Sequence, residues 1–197
     1  MTGLFDMISV ALYVSFFQNL VFSGGYGISE SMRMAAKPRR LLLYSLSISF
    51  YSVVTAAICR ALDFIPRIKE TGKVTHTVIF FFVIVVVYFS SAILLRLTLG
   101  AEPKFLSQMG ISALNTLVLA VPFINFGAGY SFFESIGMAL GAGIAYFLAT
   151  AIIGIGLQKL AENKDIPPVF QGTPAVFIYV ALLSLAFSGF SGGALFA

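Results

Sequence analysis

The sequence has few charged residues, one cysteine, one histidine and no tryptophan. Charged residues make up 10% of the 197 residues, whereas a soluble domain usually carries about 25%. Hydrophobic residues make up 59%, which is more apolar surface than one small core can bury. The composition therefore predicts an all-α polytopic membrane protein whose apolar surface is covered by lipid.

The scarcity of cysteine and histidine limits the chemistry of this chain. Cys59 has no second cysteine to pair with, which excludes an internal disulfide and argues against a cysteine-only metal site. His76 begins an apolar run and is interpreted as an interfacial residue rather than a ligand. The sequence also lacks a P-loop, a dinucleotide-binding glycine fingerprint and a His/Cys cluster. Any chemistry must therefore be shared with partner subunits or take place within the membrane.

Apolar runs long enough to cross a bilayer recur along the chain. A span needs about 20 residues, because about 30 Å of hydrocarbon is crossed at about 1.5 Å per residue. Six runs reach or approach this length, at approximately Leu4–Phe22, Leu41–Leu62, Val74–Leu97, Phe105–Val121, Ser131–Leu160 and Ala175–Phe196. They predict one transmembrane domain of about six helices over residues 1–197. The first run has no basic region before it, so we interpret it as a retained span rather than a cleavable signal peptide.

The charged residues lie mainly between the runs and predict the orientation. Eight of the 12 Lys and Arg residues fall in the first, third and fifth connections, and four fall in the second. The positive-inside rule then places both termini outside the cytoplasm. The net charge of +4 fits contact with anionic membrane lipid and gives no support for nucleic-acid binding. Acidic residues such as Asp6 and Glu134 lie near the ends of runs, so no buried carboxylate relay is expected.

Two of the six runs, the first and the fourth, are interrupted by polar and small residues. Each of them opens one half of the chain, approximately 1–100 and 101–197, and three spans per half make the second half inverted relative to the first. Paired, interrupted segments at matching positions of inverted halves indicate a site near the membrane midplane. We therefore predict a midplane ion or redox pathway formed by Asn19, Ser23, Gly24, Gly25, Asn115 and Thr116.

Structural interpretations of the same residues remain open. Either asparagine could simply form an interhelical hydrogen bond. The glycine-rich stretch at Gly24 and Gly25 follows a membrane span, which makes a phosphate-binding loop a poor interpretation. In the fifth run Gly137 and Gly141 recur at four-residue spacing, which is typical of close helix packing rather than chemistry.

The C-terminal region contains two motifs, Lys164-Asp165-Ile166-Pro167-x-x-Phe170-x-Gly172 and Leu182-Leu183-Ser184-Leu185-Ala186-Phe187-x-Gly189-Phe190-Ser191-Gly192. They give the chain a resemblance to the membrane subunits of Rnf and Nqr complexes, whose C-terminal ends they match, and the RnfA/NqrE branch is the closer match. The resemblance extends to Asn19-Leu20-Val21, Gly27-Ile28-Ser29, Asn115 and the six-span plan. The resemblance implies a subunit of a bacterial inner-membrane complex that couples electron transfer to sodium or proton translocation. It also implies a homologous partner of inverted topology, RnfE/NqrD-like or a second copy, and flavin and iron–sulfur centres in other subunits.

The sequence departs from the family where the resemblance would place a 2Fe–2S cluster between two such subunits. Ser23 and Thr116 stand at the positions of the family's two cysteines, and Cys59 matches neither position. Hydroxyls are poor iron–sulfur ligands compared with thiolates, so we expect a subunit that does not bind its own cluster. The alternatives are a transporter or channel-like paralogue without redox chemistry, and a purely structural membrane scaffold.

Overall fold

A computed structural model describes residues 2–69 and 72–190, and all regular elements in these ranges are helical. The ten α-helices in these ranges are α1 (Thr2–Leu12), α2 (Leu20–Gly24), α3 (Ile28–Ala35), α4 (Pro38–Leu62), α5 (Pro66–Lys69), α6 (Lys73–Leu99), α7 (Pro103–Ala113), α8 (Thr116–Ala128), α9 (Phe132–Glu162) and α10 (Thr173–Phe190). A π-helical turn at Tyr13–Phe17 follows α1, and a 3-10 turn at Pro168–Phe170 precedes α10.

The chain is an all-α polytopic membrane protein, as the composition predicts. Among the described residues, four helical segments are long and apolar enough to cross a bilayer: Pro38–Leu62, Val74–Leu99, Pro103–Ala128 and Phe132–Glu162. The first and sixth runs form shorter apolar helices, Gly3–Phe17 and Thr173–Gly189. The predicted end of the sixth run at Phe196, and Ser191 and Gly192 of the C-terminal motif, lie outside the described residues.

The helices α4 and α9 form the centre of the bundle and cross each other in opposite directions. The rings of Tyr44 and Tyr146 pack with their centroids 5.7 Å apart. One turn further along α4, Ser49 lies against Gly143, where an added Cβ would stand 2.5 Å from the Ser49 Cβ. Glycine at this position lets the two backbones approach closely.

The other helices surround this central pair. Helices α1 and α3 pack mainly on α9, whereas α7 and α8 pack on α4. Helix α6 packs against α4, α7 and α8, and α10 packs against α2 and α9. The outer face of α6 carries large exposed apolar side chains such as Val78, Phe82 and Leu97, which is the surface that a lipid-facing helix presents.

Candidate functional site

The first spanning element is interrupted at Gln18 and Asn19. The π-helical turn ends where the Gln18 N–H donates to the Tyr13 carbonyl at 3.0 Å, and Asn19 then adopts an extended backbone (φ −60°, ψ 107°). The Asn19 side-chain oxygen accepts from the Val21 N–H at 3.1 Å. This bond caps the restarted helix α2 and satisfies one of its free backbone donors. The Asn19 amide nitrogen donates to the Ala145 carbonyl on α9 at 3.0 Å.

A tight turn with two left-handed glycines connects α2 to α3. Gly25 has φ +69° and Gly27 has φ +73°, a region that residues with a Cβ rarely adopt. No atom of the described residues lies within 4 Å of a Cβ added at Gly25, whereas a Cβ added at Gly27 would stand 2.7 Å from Oδ1 of Asn115. Glycine at position 27 is therefore required by both the backbone conformation and the close approach of Asn115.

The second interruption, between α7 and α8, repeats the capping arrangement of the first. Asn115 has an extended backbone (φ −66°, ψ 137°), and its Oδ1 accepts from the Leu117 N–H at 2.9 Å. The equivalent bond of Asn19 goes to Val21. The sequence echo between the two runs thus corresponds to one shared local structure, an asparagine that caps a restarted helix.

The two interruptions are in direct contact. The Gly27 N–H donates to Oγ1 of Thr116 at 2.8 Å. We call this place, where the turn at residues 25–27 meets Asn115 and Thr116, the junction. An open pocket of about 400 Å³ adjoins it, lined among others by Gly25, Gly27, Glu30, Leu114, Asn115 and Thr116.

The residues of the predicted pathway are only partly brought together. Gly25, Asn115 and Thr116 line the junction pocket, whereas Asn19 is directed at α9. Ser23 is exposed, and its hydroxyl donates to the Asn19 carbonyl at 2.8 Å. Gly24 lies on the same short helix, against the ring of Tyr26.

The small residues of α9 lie along the first spanning element. A Cβ added at Gly137 would collide with the carbonyl oxygen of Met7, and one added at Gly141 would stand 2.7 Å from the carbonyl oxygen of Ala11. Residue numbers increase in the same direction on both sides of this contact. Helices α1 and α9 are therefore parallel, as expected if the first and fifth spans start from the same membrane surface.

Three residues near the junction were not predicted from the sequence. Glu30 lines the pocket and pairs with Arg33 one turn later. The hydroxyl of Tyr44 lies near Glu30 and Asn115. Neither this hydroxyl nor the buried hydroxyl of Tyr146 makes a hydrogen bond with any residue that the structure describes. The only available signal is the position of Glu30 three residues after Gly27, in a segment that the sequence alone does not distinguish from an ordinary loop.

The burial of Asp63 and His76 within the protein was not predicted from the sequence. Asp63 is 9% exposed and His76 is fully buried. The His76 ring stacks on Phe126 with centroids 3.9 Å apart, so the N-terminal turn of α6 is covered by α8. In the sequence both residues stand beside a loop, and the tertiary contact that covers them leaves no local pattern.

The residues at the junction do not fit a 2Fe–2S cluster. Ser23 and Thr116 offer hydroxyls that are engaged in backbone hydrogen bonds, and thiolates are the usual cluster ligands. The only cysteine, Cys59, is buried in α4. Within the ranges that the structure describes, no group of three or more His, Cys, Asp or Glu side chains could hold a metal ion.

Comparison with known proteins gives full-length relatives of low identity and shorter matches of higher identity. The chain is 24% identical over 196 residues, 98% of both chains, to the RnfA protein of the Na(+)-translocating ferredoxin:NAD(+) oxidoreductase complex of Acetobacterium woodii. It is 25% identical over 178 residues to the corresponding protein of the ion-translocating oxidoreductase complex of Syntrophotalea carbinolica, covering 88% of this chain and 90% of the relative. With its counterpart in the proton-translocating ferredoxin:NAD(+) oxidoreductase complex of Clostridium ljungdahlii it shares 36% identity over 80 residues, 41% of each chain. No family model matches the chain.

The fold and the junction define a polytopic membrane protein with two interrupted spanning elements that meet. Its relatives are RnfA proteins of ion-translocating oxidoreductase complexes, and two of them align over nine-tenths or more of their own length. The chain is an RnfA/NqrE-type membrane subunit.

Proposed function

We propose that this chain is the membrane subunit of an Rnf-type complex that couples electron transfer to the translocation of a monovalent cation. The full-length relatives carry this function in their names, one for sodium and one for an unspecified ion. The observation that carries the proposal is the hydrogen bond between Gly27 and Thr116. It joins two interrupted elements, and non-helical backbone within a membrane is tolerated only beside protein or a water-filled cavity.

The two halves of the chain act in this proposal as inverted repeats. Their reciprocal packing supports it, because α1 and α3 of the first half pack on α9 of the second, and α7 and α8 of the second half pack on α4 of the first. The outer helices α6 and α10 each pack beside the interrupted element of the other half. Such an exchange is the packing that two inverted repeats with equivalent interruptions would give.

The junction is the proposed cation pathway. Gly25, Asn115 and Thr116 line it, whereas Asn19, Ser23 and Gly24 shape the first interrupted element beside it. Its exposed lining offers oxygen atoms from Glu30, Thr116 and the backbone of the turn. Oxygen ligands suit hard cations. Gly137 and Gly141 hold the first element against α9 in this arrangement.

Partner proteins supply the redox centres in this proposal. The exposed side of the junction, with Ser23 and Thr116, faces a homologous membrane subunit of inverted topology, RnfE/NqrD-like or a second copy. Flavin and iron–sulfur centres belong to the other Rnf-type subunits. The complex lies in the bacterial inner membrane with both termini of this chain on the extracytoplasmic side, as the distribution of Lys and Arg favours.

The test is isolation of the native complex through a tag on this chain. Flavin, iron and acid-labile sulfide are assayed, an electron paramagnetic resonance spectrum is recorded, and cation uptake is measured in vesicles during electron transfer from reduced ferredoxin to NAD(+). We expect flavin and iron in the partners and cation uptake that stops when electron transfer stops. A complex without flavin or iron–sulfur subunits would contradict the proposal.

A second candidate is a transporter or channel-like paralogue without redox chemistry. The observation that favours it is the presence of hydroxyls at both positions where the family places cysteines, Ser23 and Thr116. It predicts solute or ion flux in vesicles that contain this chain and its partner but no electron donor. Absence of any such flux would leave the redox-coupled function.

A further inference from the structure

A second group of buried polar side chains lies along the second half of α4 and on helices that pack against it, away from the junction. Five of them contain an oxygen atom that makes no hydrogen bond in the described part of the chain: Ser52, Thr55, Asp63, Asn125 and Ser135. All five residues are at most 9% exposed. They come from three different regions of the chain, at α4, α8 and α9, so they mark a part of the bundle rather than the face of one helix.

Contacts between the helices link three members of this polar group, Asp63, Asn125 and Ser135. Asn125 donates from its side-chain nitrogen to the Ser135 carbonyl at 3.3 Å. The next residue of α8, Phe126, stacks on His76 of α6. Nε2 of His76 lies 3.6 Å from Oδ1 of Asp63. This separation is longer than a direct hydrogen bond and is one at which a bridging water should be considered.

The α4 members of the group form a line into the membrane. At about 100° per residue, Ser52, Thr55 and Asp63 fall within an arc of about 80° on α4. Ser52 lies about 16 Å along the helix axis from Asp63, which is about half of a hydrocarbon layer about 30 Å thick. Ile48 follows one turn beyond Ser52 on the same side and is fully buried. The line of polar atoms therefore ends at an apolar side chain, before Tyr44 and the junction.

Charged side chains lie at the outer end of this line. Arg60 pairs with Oδ2 of Asp63 at 3.3 Å, and Arg60 also interacts electrostatically with Glu134 at the start of α9. The side chain of Arg60 is 26% exposed and that of Asp63 is 8% exposed. The outer end is thus reached from the membrane surface past one guanidinium and two carboxylates.

Buried oxygen atoms without hydrogen bonds are costly, and lipid cannot satisfy them. Water or a cation can, and ionisable residues within a membrane mark ion pathways. We propose that this polar group is a hydrated half-channel for a monovalent cation, leading from the membrane surface at Asp63 past Thr55 to Ser52. The role of this half-channel in ion transport rests on the proposed ion-translocating function, whereas the presence of water in it does not.

Cysteine labelling in the full complex tests the half-channel directly. The native Cys59 lies between Thr55 and Asp63 in the same arc of α4, and Thr55→Cys is made in a Cys59→Ala background. The probe is a small, membrane-impermeant cationic methanethiosulfonate applied to sealed membranes from each side in turn. Because only a hydrated thiol forms the reactive thiolate, we expect labelling of Thr55→Cys about tenfold faster than of matched dry positions.

Two control variants in the same background define those dry positions. Ile58→Cys is on α4 at an exposed, lipid-facing site, and Ile84→Cys is on α6 at a site 1% exposed. The half-channel is supported if Cys59 of the wild-type chain and Thr55→Cys of the variant are labelled fast from one membrane side only, while both controls are unreactive. Labelling at position 55 no faster than at position 84 overturns it, whatever the redox activity of the complex.

A second measurement identifies the cation and links the channel to function. Labelling of Thr55→Cys is compared in sodium chloride and in choline chloride at equal ionic strength; slowing by sodium indicates a sodium path, and equal rates indicate a path for hydrated protons. In vesicles, Asp63→Asn should abolish most cation uptake by a complex that still assembles and is still labelled at position 55. Full uptake by Asp63→Asn would overturn the cation path, and a wild-type complex that takes up no cation would instead contradict the proposed function.

Discussion

The Gly27 N–H donates to Oγ1 of Thr116 across the junction, and this 2.8 Å bond links two elements that are 89 residues apart in the sequence. Thr116 is the position where the family resemblance places a cysteine. Its hydroxyl accepts a backbone hydrogen bond instead, so the residue holds the two interrupted elements together. The substitution of a ligand position by threonine therefore has a structural consequence within this chain.

Replacing Thr116 by valine tests this bond. Valine keeps the shape of the side chain but leaves the Gly27 N–H without an acceptor, so we expect the free energy of unfolding to fall by about 1 to 3 kcal/mol. Unfolding of the purified chain in mixed detergent micelles provides the measurement. The matched control Thr116→Ser keeps the hydroxyl, so its free energy of unfolding should fall much less. Equal stability of Thr116→Val and Thr116→Ser would show that the bond does not stabilise the junction.

Alanine substitutions at the two left-handed glycines separate backbone strain from steric contact. The Cβ of Gly25→Ala meets no atom of the described chain within 4 Å. Its free energy of unfolding should therefore fall only by the cost of a left-handed alanine, about 1 to 2 kcal/mol. Gly27→Ala adds a Cβ at 2.7 Å from Oδ1 of Asn115, so its free energy of unfolding should fall by more than that of Gly25→Ala. Thermal unfolding of both variants in the same detergent gives the comparison. If the two variants lose the same stability, the close approach of Asn115 contributes nothing.

The sequence predicted the elements of this fold better than their contacts. Long apolar runs predicted the four long spanning segments, and the amide and glycine residues located both interruptions correctly, because these are local properties of the chain. The contact between Gly27 and Thr116 is not local, so no periodicity shows it. The same reason explains the missed burial of His76, on which Phe126 of α8 stacks, and of Asp63, which lies beside His76.

For the site residues, too, the sequence predicted the local structure but not the tertiary contacts. Asn19 and Asn115 were paired on their similar sequence surroundings, and both do cap a restarted helix. Their second contacts differ, since Asn19 bonds to α9 whereas Asn115 faces the turn at Gly27. A shared motif therefore predicted the shared local role but not which of the two residues lines the pocket.

The close packing of α9 against the first element gives a third prediction. Gly141→Ala places a Cβ 2.7 Å from the Ala11 carbonyl oxygen, and we expect a loss of about 1 to 3 kcal/mol from overpacking. Gly127 offers a matched control, because it is also helical and, among the residues that the structure describes, no atom lies within 4 Å of an added Cβ. Gly127→Ala should gain about 1 kcal/mol from the helix propensity of alanine. The changes in unfolding midpoint should have opposite signs, and two changes of the same sign would contradict this packing.

The two capping asparagines finally distinguish a cation pathway from a purely structural scaffold. Asn19→Leu and Asn115→Leu each remove one helix cap, and each should lose about 1 kcal/mol of stability. Only Asn115 of these two residues lines the junction pocket. Asn115→Leu should therefore also lower the number of cations taken up per electron transferred. Asn19→Leu should leave this ratio unchanged. Cation uptake and electron transfer are measured in vesicles and normalised to the amount of assembled complex, which removes the shared loss of stability. An unchanged ratio in both variants would leave the junction a structural contact, because a residue that only caps a helix affects how much complex assembles and not how the assembled complex couples.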